Sequence, residues 1–593
     1  MLRLALAQFR PTKGAWTETL AEAGRVLSEA AALPTPPDVI VFPESALSGY
    51  FLEGGVRDVA RPAEQLFGEL AAIHRSAGLP SVDVVIGFYE LWRNRIHNSA
   101  MYATLGGEDA GVRHVHRKVF LPTYGVFDEE RFVEAGRDVR AFDTRWGRGA
   151  MLVCEDAWHS LMPTIAALDG AQVIFVLSAT PARGLTPRPD GDDGGPRPGN
   201  LDRWERLAID AASEHGVFVA VSQLVGFEGG KGFLGGSLVA APDGEVLARA
   251  GVFEPELVPV DLDMGAITRA RADTPLLADL EIKLPHLLES LGEDRRTGDF
   301  TLVERPQRRP DQPRPGILHA ARRDPLAIDP ALARRWLVEF IKDEVNRRRG
   351  FEKVVLGLSG GVDSALVACL AAEALGPANV IAVRMPYRTS SPDSLIHAQL
   401  VIDALGLGHR MVDITAAVDA LALAVGSESP ARKGNVMART RMIALFDLSA
   451  QLGALPIGTG NKTERLLGYF TWHADDSPPV NPLGDLFKTQ VWALARHVGV
   501  PDVIVDKPAS ADLIQGQTDE GDFGVSYETA DRVLHWLLSG YTPADIALLG
   551  VAPAEIELVR ARLESTHWKR RLPTVAMVSQ TAIGEYYLRP VDY

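Results

Sequence analysis

Cys154 is one of only two cysteines among 593 residues, and it stands in "MLVCEDAWHS", after an apolar run and before Glu155 and Asp156. A cysteine attacks as its thiolate, which neighbouring negative charge disfavours and neighbouring positive charge favours. Two other strand-like runs end on groups that could serve such a thiol. "VIVFPESALSGY" offers Glu44 as a base, and "HRKVFLPTYG" offers Lys118 as a compensating cation. A base, a cation and a thiol are the parts of nucleophilic catalysis through a covalent intermediate. If the strand persists through Glu155, alternation turns that carboxylate away from the side Cys154 faces. Catalysis by Cys154 then requires Lys118 within hydrogen-bond reach of the thiol. His114, His116 and His159 have no serine or cysteine motif around them, and Cys369 reads as a small core residue.

A second segment carries different chemistry. "KVVLGLSGGVDSALVACLAAEAL" reads as an apolar strand, a tight turn and a helix. Gly360 and Gly361 let consecutive backbone N–H groups face an anion at the helix start, and Ser359 and Ser364 add hydroxyls. Asp363 would repel a phosphate unless a divalent cation lay between them, which points to Mg²⁺. The string does not fit G-x-x-x-x-G-K-[ST].

These segments sit in two α/β regions. Residues 1–285 alternate strands ("LRLALAQF", "PDVIVFPES", "SVDVVIGFYE", "GAMLVCEDA", "AQVIFVLSAT", "GVFVAVSQLVGF", "GSLVAA") with helical patterns, and "APDGEVLARA" reads as a hairpin turning at Asp243-Gly244. Residues 184–200 are rich in Gly, Pro and Asp and read as a surface loop. Residues 286–328 have the Pro/Arg-rich composition of a linker. A second domain, 329–593, opens on a helix with Asp329 as N-cap and Pro330 as its first residue.

The net charge of −16 argues against a nucleic-acid partner. Two cysteines make no disulfide framework, the N-terminus is too quickly polar for a signal peptide, and no apolar run approaches the roughly 18 residues of a spanning helix. A cytoplasmic protein with no membrane partner is expected.

"SGGVDS" after its strand resembles the pyrophosphate loop of the ATP pyrophosphatase superfamily. "VRMPYRTSS", "KGNVMARTRM", "IGTGNKTERLLGYFT", "LFKTQVWALAR" and "KPASADLIQGQTDEGDFGVSY" follow in order, and together they resemble the NAD synthetase family over residues 330–593. The resemblance implies a Rossmann-like parallel sheet and a reaction in which ATP adenylates the carboxylate of deamido-NAD and ammonia displaces AMP. ATP would be held by Gly357, Leu358, Ser359, Gly360, Gly361, Val362, Asp363, Ser364, Arg384, Thr459, Lys488 and Ser510, with Mg²⁺ on Asp363 and Glu464. Deamido-NAD would be held by Asn435, Arg439, Glu464, Tyr469, Trp472, Asp475 and Lys569. Trp472 departs from the lysine usual in shorter relatives, and "THWKRRLP" separates His567 from Lys569, so only Lys569 is carried over.

Ammonium has no lone pair, so such a synthetase gains from a site that releases ammonia out of water. Glu44, Lys118 and Cys154 in that order resemble the nitrilase (carbon–nitrogen hydrolase) superfamily over about residues 1–270, which implies a four-layer αββα sandwich and glutamine as the ammonia source. Tyr124 matches a glutamine-contacting tyrosine, and Glu129 is a further candidate carboxylate. Ser178 and Thr180 offer hydroxyls to glutamine, while Arg183 sits early for the arginine that relatives place on its carboxylate, so which arginine serves stays open. A homo-oligomer, at least a dimer, is also implied. Two alternatives remain: an amide-forming ATP pyrophosphatase acting on another carboxylate, and a sensor with an inactive nitrilase-like domain.

Overall fold

The structure, a computed structural model, describes residues 1–571 except 53–54, 186–196, 297–316, 322–323, 428 and 511–517; the side chains of 291–296 and 319–320 are likewise outside the description. Most of the 184–200 loop, most of the 286–328 linker and the "ADLIQGQ" motif therefore lie outside the described residues. The chain folds into two compact units. One takes the described residues of 1–184 and 197–296, the other Leu185 and those of 317–571.

The first unit runs through β1 (Leu2–Gln8), β2 (Val39–Val41), β3 (Val82–Trp92), β4 (Arg95–Leu105), β5 (Gly111–Arg117), β6 (Ala141–Thr144) and β7 (Gly147–Val153). It continues through β8 (Val173–Ser178), β9 (Phe218–Gln223), β10 (Val225–Glu228), β11 (Lys231–Leu234), β12 (Leu238–Ala240), β13 (Val246–Arg249) and β14 (Glu256–Leu262). These make two six-stranded sheets, ordered β14-β1-β2-β3-β4-β5 and β13-β12-β9-β8-β7-β6, and a separate β10–β11 hairpin.

Leu4, Leu6, Val39 and Val41 from one sheet share a core with Met151, Val153, Phe175 and Val219 from the other. The opposite face of the first sheet is covered by the helices Trp16–Ala31 and Ala63–Ser76, whose Ala23, Leu27, Leu66 and Leu70 recur at helical spacing. The helices Leu161–Leu168 and Gly199–His215 cover the second sheet. The result is the expected αββα sandwich. Strands buried on both faces explain the near-continuous apolar runs.

The β12–β13 hairpin turns where expected, with Gly244 at φ 89°. The pair β4–β5 is new. It is joined to β3 by Arg93 and Asn94, both at positive φ. The helix Leu276–Arg296 runs past residue 285 and carries Pro285 inside it.

In the second unit β15 (Lys353–Gly357), β16 (Val380–Arg384), β17 (Gly408–Met411) and β18 (Ala454–Pro456) form a parallel sheet ordered β17-β16-β15-β18. Its first helix, Pro330–Lys342, is capped as expected: the Asp329 carboxylate accepts from Leu332 N at 3.0 Å. The order reverses beside β15, so the loops after β15 and β18 open side by side at the carboxyl end, where α/β sheets bind ligands. These loops carry "SGGVDS" and "GTGN".

Candidate active sites

In the first unit, β2 delivers Glu44 into the space between the sheets. A Cβ on Gly87 of β3 would lie 2.5 Å from Pro43 O and 2.6 Å from Glu44 Cα, so the bare glycine lets this segment cross close to β3. Lys118 follows β5. Glu44 and Lys118 are fully buried, and Cys154 is 8% exposed. The Lys118 ammonium donates to Glu44 Oε1 and to Glu129 Oε2, each at 2.8 Å. Asn98 Nδ2 on β4 bridges the same two carboxylates, at 2.7 Å to Glu44 and 2.5 Å to Glu129.

The thiol is held from the end of β8. Cys154 Sγ lies 3.6 Å from Ser178 Oγ and 3.7 Å from Thr180 Oγ1, and between those residues the backbone N–H of Ala179 donates to Glu44 Oε2 at 2.8 Å. Three consecutive residues thus bring the base and the thiol to one place. Ser178 and Thr180 also bond each other, at 2.8 Å.

Two expectations change here. The strand does not persist to Glu155: β7 ends at Val153, and Cys154 takes φ 45° at the head of a 3₁₀ turn, Cys154–Trp158. A left-handed φ is costly for a residue with a side chain and is tolerated where the surroundings fix it. Glu155 consequently faces the same mouth, accepting from Tyr124 Oη at 2.8 Å. Nor does Lys118 bond the thiol. Among the described residues the sulfur's hydrogen-bond partners are Ser178 and Thr180, because two carboxylates capture a buried ammonium more strongly than a neutral thiol does. The direct Lys118–thiol hydrogen bond that the sequence reading required is therefore absent, and a catalytic reading of Cys154 rests instead on the charge of Lys118, which opposes the rise in the thiol pKa, and on Glu44 as base.

Burial pushes the Cys154 thiol up to about 12, Glu44 adds to the rise, and Lys118 and the two hydroxyls oppose it. Burial also raises the Glu129 carboxyl, with Lys118 pulling it down and Glu44 pushing it up. At rest Cys154 is therefore a thiol, and to serve as a nucleophile it would need a base at the moment of attack. Tyr50, Phe51, Phe127 and Phe233 form an aromatic wall beside it, with the Tyr50 ring 5.5 Å from the Lys118 ammonium. The Arg183 guanidinium reaches back over this wall, 5.8 Å from the Phe127 ring centre and against Gly125. Glu155, Asp156 and Asn98 were not singled out as site residues by sequence. The acids directly after Cys154 were the visible signal for the first two.

In the second unit, Gly360 takes φ 80°, and a Cβ there would fall 2.1 Å from Ser394 O. Ser359 and Ser364 hydroxyls bond each other at 3.1 Å across the turn, and Gly361 N donates to Ser359 Oγ at 3.3 Å. Gly357 ends β15, and Leu358 follows it with its N–H bonded to Val383 O at 2.9 Å. Val362 and Asp363 open the helix Val362–Leu375. Cys369, on this helix, packs against the unit's core as expected.

The Lys488 ammonium bonds Asp363 and lies 3.5 Å from Glu464, so both carboxylates converge on one cation. Asn461 Nδ2 donates to Asp363 Oδ1 at 2.9 Å, and its Oδ1 caps the helix carrying Glu464. Burial holds Glu464 up at about 8, Lys488 opposing and Asp363 adding to the rise. Thr459 follows β18. Arg384 ends β16 and donates to Gln399 at 2.5 Å. Ser510 is exposed at the edge of the described residues.

The remaining candidates gather around the segment 468–476. Asn435 accepts from Thr471 Oγ1 at 3.2 Å, Arg439 donates to Trp472 O at 3.2 Å, and Asp475 accepts from Thr471 N at 2.7 Å. Lys569 donates to Gly468 O at 2.8 Å and Phe470 O at 3.0 Å, while the Trp472 and Trp568 rings meet edge-on at 5.2 Å. Tyr469 Oη donates to Asp522 at 2.8 Å. Among the described residues no group of three or more His, Cys, Asp and Glu side chains is arranged to hold a metal alone, and no helix is long and apolar enough to cross a membrane.

A buried carboxylate–ammonium–thiol site in an αββα sandwich defines a carbon–nitrogen hydrolase, and a glycine-turned anion loop at the switch point of a parallel sheet defines an ATP-pyrophosphatase type of domain. Comparison with known proteins agrees: residues 3–272 match the carbon–nitrogen hydrolase family and residues 334–573 the NAD synthase family. The NH(3)-dependent NAD(+) synthetases of Chlorobaculum parvum and Trichlorobacter lovleyi are each 48% identical to it, over 44% and 45% of this chain and 94% and 98% of their own. Solved structures of glutamine-dependent NAD+ synthetases from Acinetobacter baumannii (TM-score 0.68, 23% identity, 99% of this chain, 97% of that one) and Cytophaga hutchinsonii (0.69, 16%, 96%, 93%) share the fold. The chain belongs to the NAD synthase family and carries a carbon–nitrogen hydrolase domain ahead of its synthase domain.

Proposed function

We propose that this chain makes NAD from deamido-NAD, ATP and glutamine, releasing AMP, pyrophosphate and glutamate. The observation that supports this most is the convergence of Glu44, Lys118 and Cys154 in one buried site, on a chain whose second half has near-full-length NAD synthetase relatives. In the first unit the Cys154 thiol passes its proton to Glu44 as sulfur attacks the glutamine amide carbon. Lys118 and the backbone N–H of Glu155 then take the oxyanion. Glu44 returns the proton to the departing ammonia, leaving a thioester, and then draws a proton from the water that hydrolyses it. Glu155 supplies a carboxylate for the amino group of glutamine and Arg183 a cation for its carboxylate. Glu155→Gln is expected to raise the glutamine KM about tenfold with kcat within about threefold, as for lost ground-state binding. Steady-state glutaminase assays check it.

In the second unit the deamido-NAD carboxylate attacks the α-phosphate of ATP, pyrophosphate leaves, and ammonia displaces AMP from the acyl adenylate. Two anions must be brought together, so positive charge decides the rate. Lys488 faces the departing pyrophosphate, and the N–H groups and hydroxyls of Ser359–Ser364 cradle it. Asp363 and Glu464, already converging on one cation, fit Mg²⁺, which keeps several waters and needs only one or two protein carboxylates besides phosphate oxygens. Bound there, Mg²⁺ would screen the two anions from each other. Gly360→Ala forces the loop off Ser394 and is expected to raise the ATP KM at least about tenfold, read in ammonium-supported assays.

The exposed Ile443 and Phe446 of the helix Pro430–Leu452, with Ile396 and Leu400 of the helix Pro392–Leu405, support a homodimer. The deciding assay offers deamido-NAD and other carboxylates with ATP and either nitrogen source. NAD and AMP should form with both sources. No NAD from either would sink the proposal.

A further inference from the structure

Asp156 is fully buried two residues after Cys154, and its carboxylate accepts four hydrogen bonds from two stretches of chain. Oδ1 takes Val119 N at 2.9 Å and Phe120 N at 3.0 Å, the two residues following Lys118. Oδ2 takes His116 Nε2 at 2.9 Å, two residues before Lys118, and Val153 N at 3.1 Å, the residue before Cys154. On its other side the Lys118 backbone is pinned by its own N–H to Asn98 O at 2.8 Å and by Gly136 N to its carbonyl at 2.6 Å. The positive φ at Cys154 makes this possible. It divides three consecutive side chains among three partners: Cys154 to the hydroxyls of Ser178 and Thr180, Glu155 to Tyr124, and Asp156 to the 116–120 segment.

We propose that Asp156, with His116, is a positioning residue of the glutaminase site, tying the Lys118 segment to the Cys154 turn so that ammonium and sulfur keep one fixed separation. This rests on reading Glu44, Lys118 and Cys154 as that site. Lys118 does not bond the sulfur itself, so their separation is set through the backbone on this side, by Asp156, and through Glu44 and the Ser178–Thr180 stretch on the other. A buried carboxylate satisfied by backbone N–H groups is a rigid anchor, and displacements near 1 Å at reacting groups commonly cost about a hundredfold in rate. Asparagine at this position presents an N–H₂ to one side of the anchor, where Val153 N–H and His116 now donate, and so loosens one end of the tie.

Asp156→Asn is expected to lower glutaminase kcat about 30-fold or more, with the glutamine KM within about twofold and ammonium-supported NAD synthesis within about twofold. It should also slow iodoacetamide alkylation of Cys154 at pH 9 about fivefold or more, because the thiol loses part of the Lys118 field. The discriminating comparison is the same substitution in a Lys118→Met/Glu129→Gln background, where neutralising one of the two carboxylates keeps the buried charge balanced. If Asp156 works through Lys118, it adds less than about twofold to the slowing there. Equal slowing in both backgrounds, or an unchanged kcat, overturns the inference. Should Asp156→Asn unfold the first unit, seen as a lost melting transition, His116→Leu removes one of the four bonds and is judged by the same two outcomes. Glutamine-supported synthesis surviving in Cys154→Ala would instead defeat the reading on which this one stands.

Discussion

Cys154→Ala is expected to lower glutamine-supported NAD formation by about three orders of magnitude or more and to leave formation from high ammonium within about twofold. The asymmetry follows from the division of labour. On the proposed reading the sulfur forms the acyl-enzyme. Ammonium supplied in excess yields enough free ammonia for the second unit, whose chemistry uses none of the first unit's residues. The substitution is also mild. It removes one small side chain that makes two long hydrogen bonds at the edge of the core, and it leaves Lys118 between Glu44 and Glu129. Removing Lys118 instead would strand two buried carboxylates, at a cost of about 3–5 kcal/mol for a broken buried pair, and would confound chemistry with folding. Rates with both nitrogen sources, on protein whose melting profile is unchanged, check the prediction. Equal loss of both would make Cys154 a structural residue.

The second large effect lies in the other unit and has the opposite signature. Lys488→Met is expected to reduce NAD formation from glutamine and from ammonium alike, by about 10²–10³-fold, while glutamine hydrolysis persists. The Lys488 side chain is 3% exposed and is the cation on which Asp363 and Glu464 converge. Burial would lower its pKa, but those two carboxylates outweigh burial and raise it, so the side chain carries its charge despite burial. Without it, the pyrophosphate leaves with one fewer positive charge beside it. Glutaminase rate and NAD rate, measured in parallel on the same preparation, separate this outcome from general unfolding. Retention of NAD formation from ammonium would remove Lys488 from the reaction.

Most of the first unit was legible in its sequence because strands buried on both faces appear as short apolar runs. The strand β4 was not. Its "HNSA" stretch places His97, Asn98 and Ser99 in the interior, where Asn98 and Ser99 donate to buried carboxylates and His97 bonds the Glu134 carbonyl, and a hydropathy pattern reads such residues as loop. With β4 went Asn98, the bridge between Glu44 and Glu129. Glu44, Lys118 and Cys154 stood out as candidates by residue type and order, but their pairing did not. That Lys118 bonds two carboxylates and not the thiol depends on Glu129, which comes from a short turn, Glu129–Arg131. The orientation of Glu155 and Asp156 hung on one backbone angle, the positive φ of Cys154, which no local pattern announces in a non-glycine residue. Local signals did better: the Asp329 cap, the Asp243-Gly244 turn and the glycine loop before Asp363 each depend on a few adjacent residues.

The central claim is that nitrogen freed at Cys154 becomes the amide nitrogen of NAD. Glutamine labelled with nitrogen-15 at its side-chain amide, supplied with deamido-NAD and ATP, tests it by mass spectrometry of the product. Wild-type protein should give NAD carrying the label, and Cys154→Ala given the same glutamine plus unlabelled ammonium should give only unlabelled NAD. Label in the product of Cys154→Ala, or unlabelled NAD from the wild type, would contradict it.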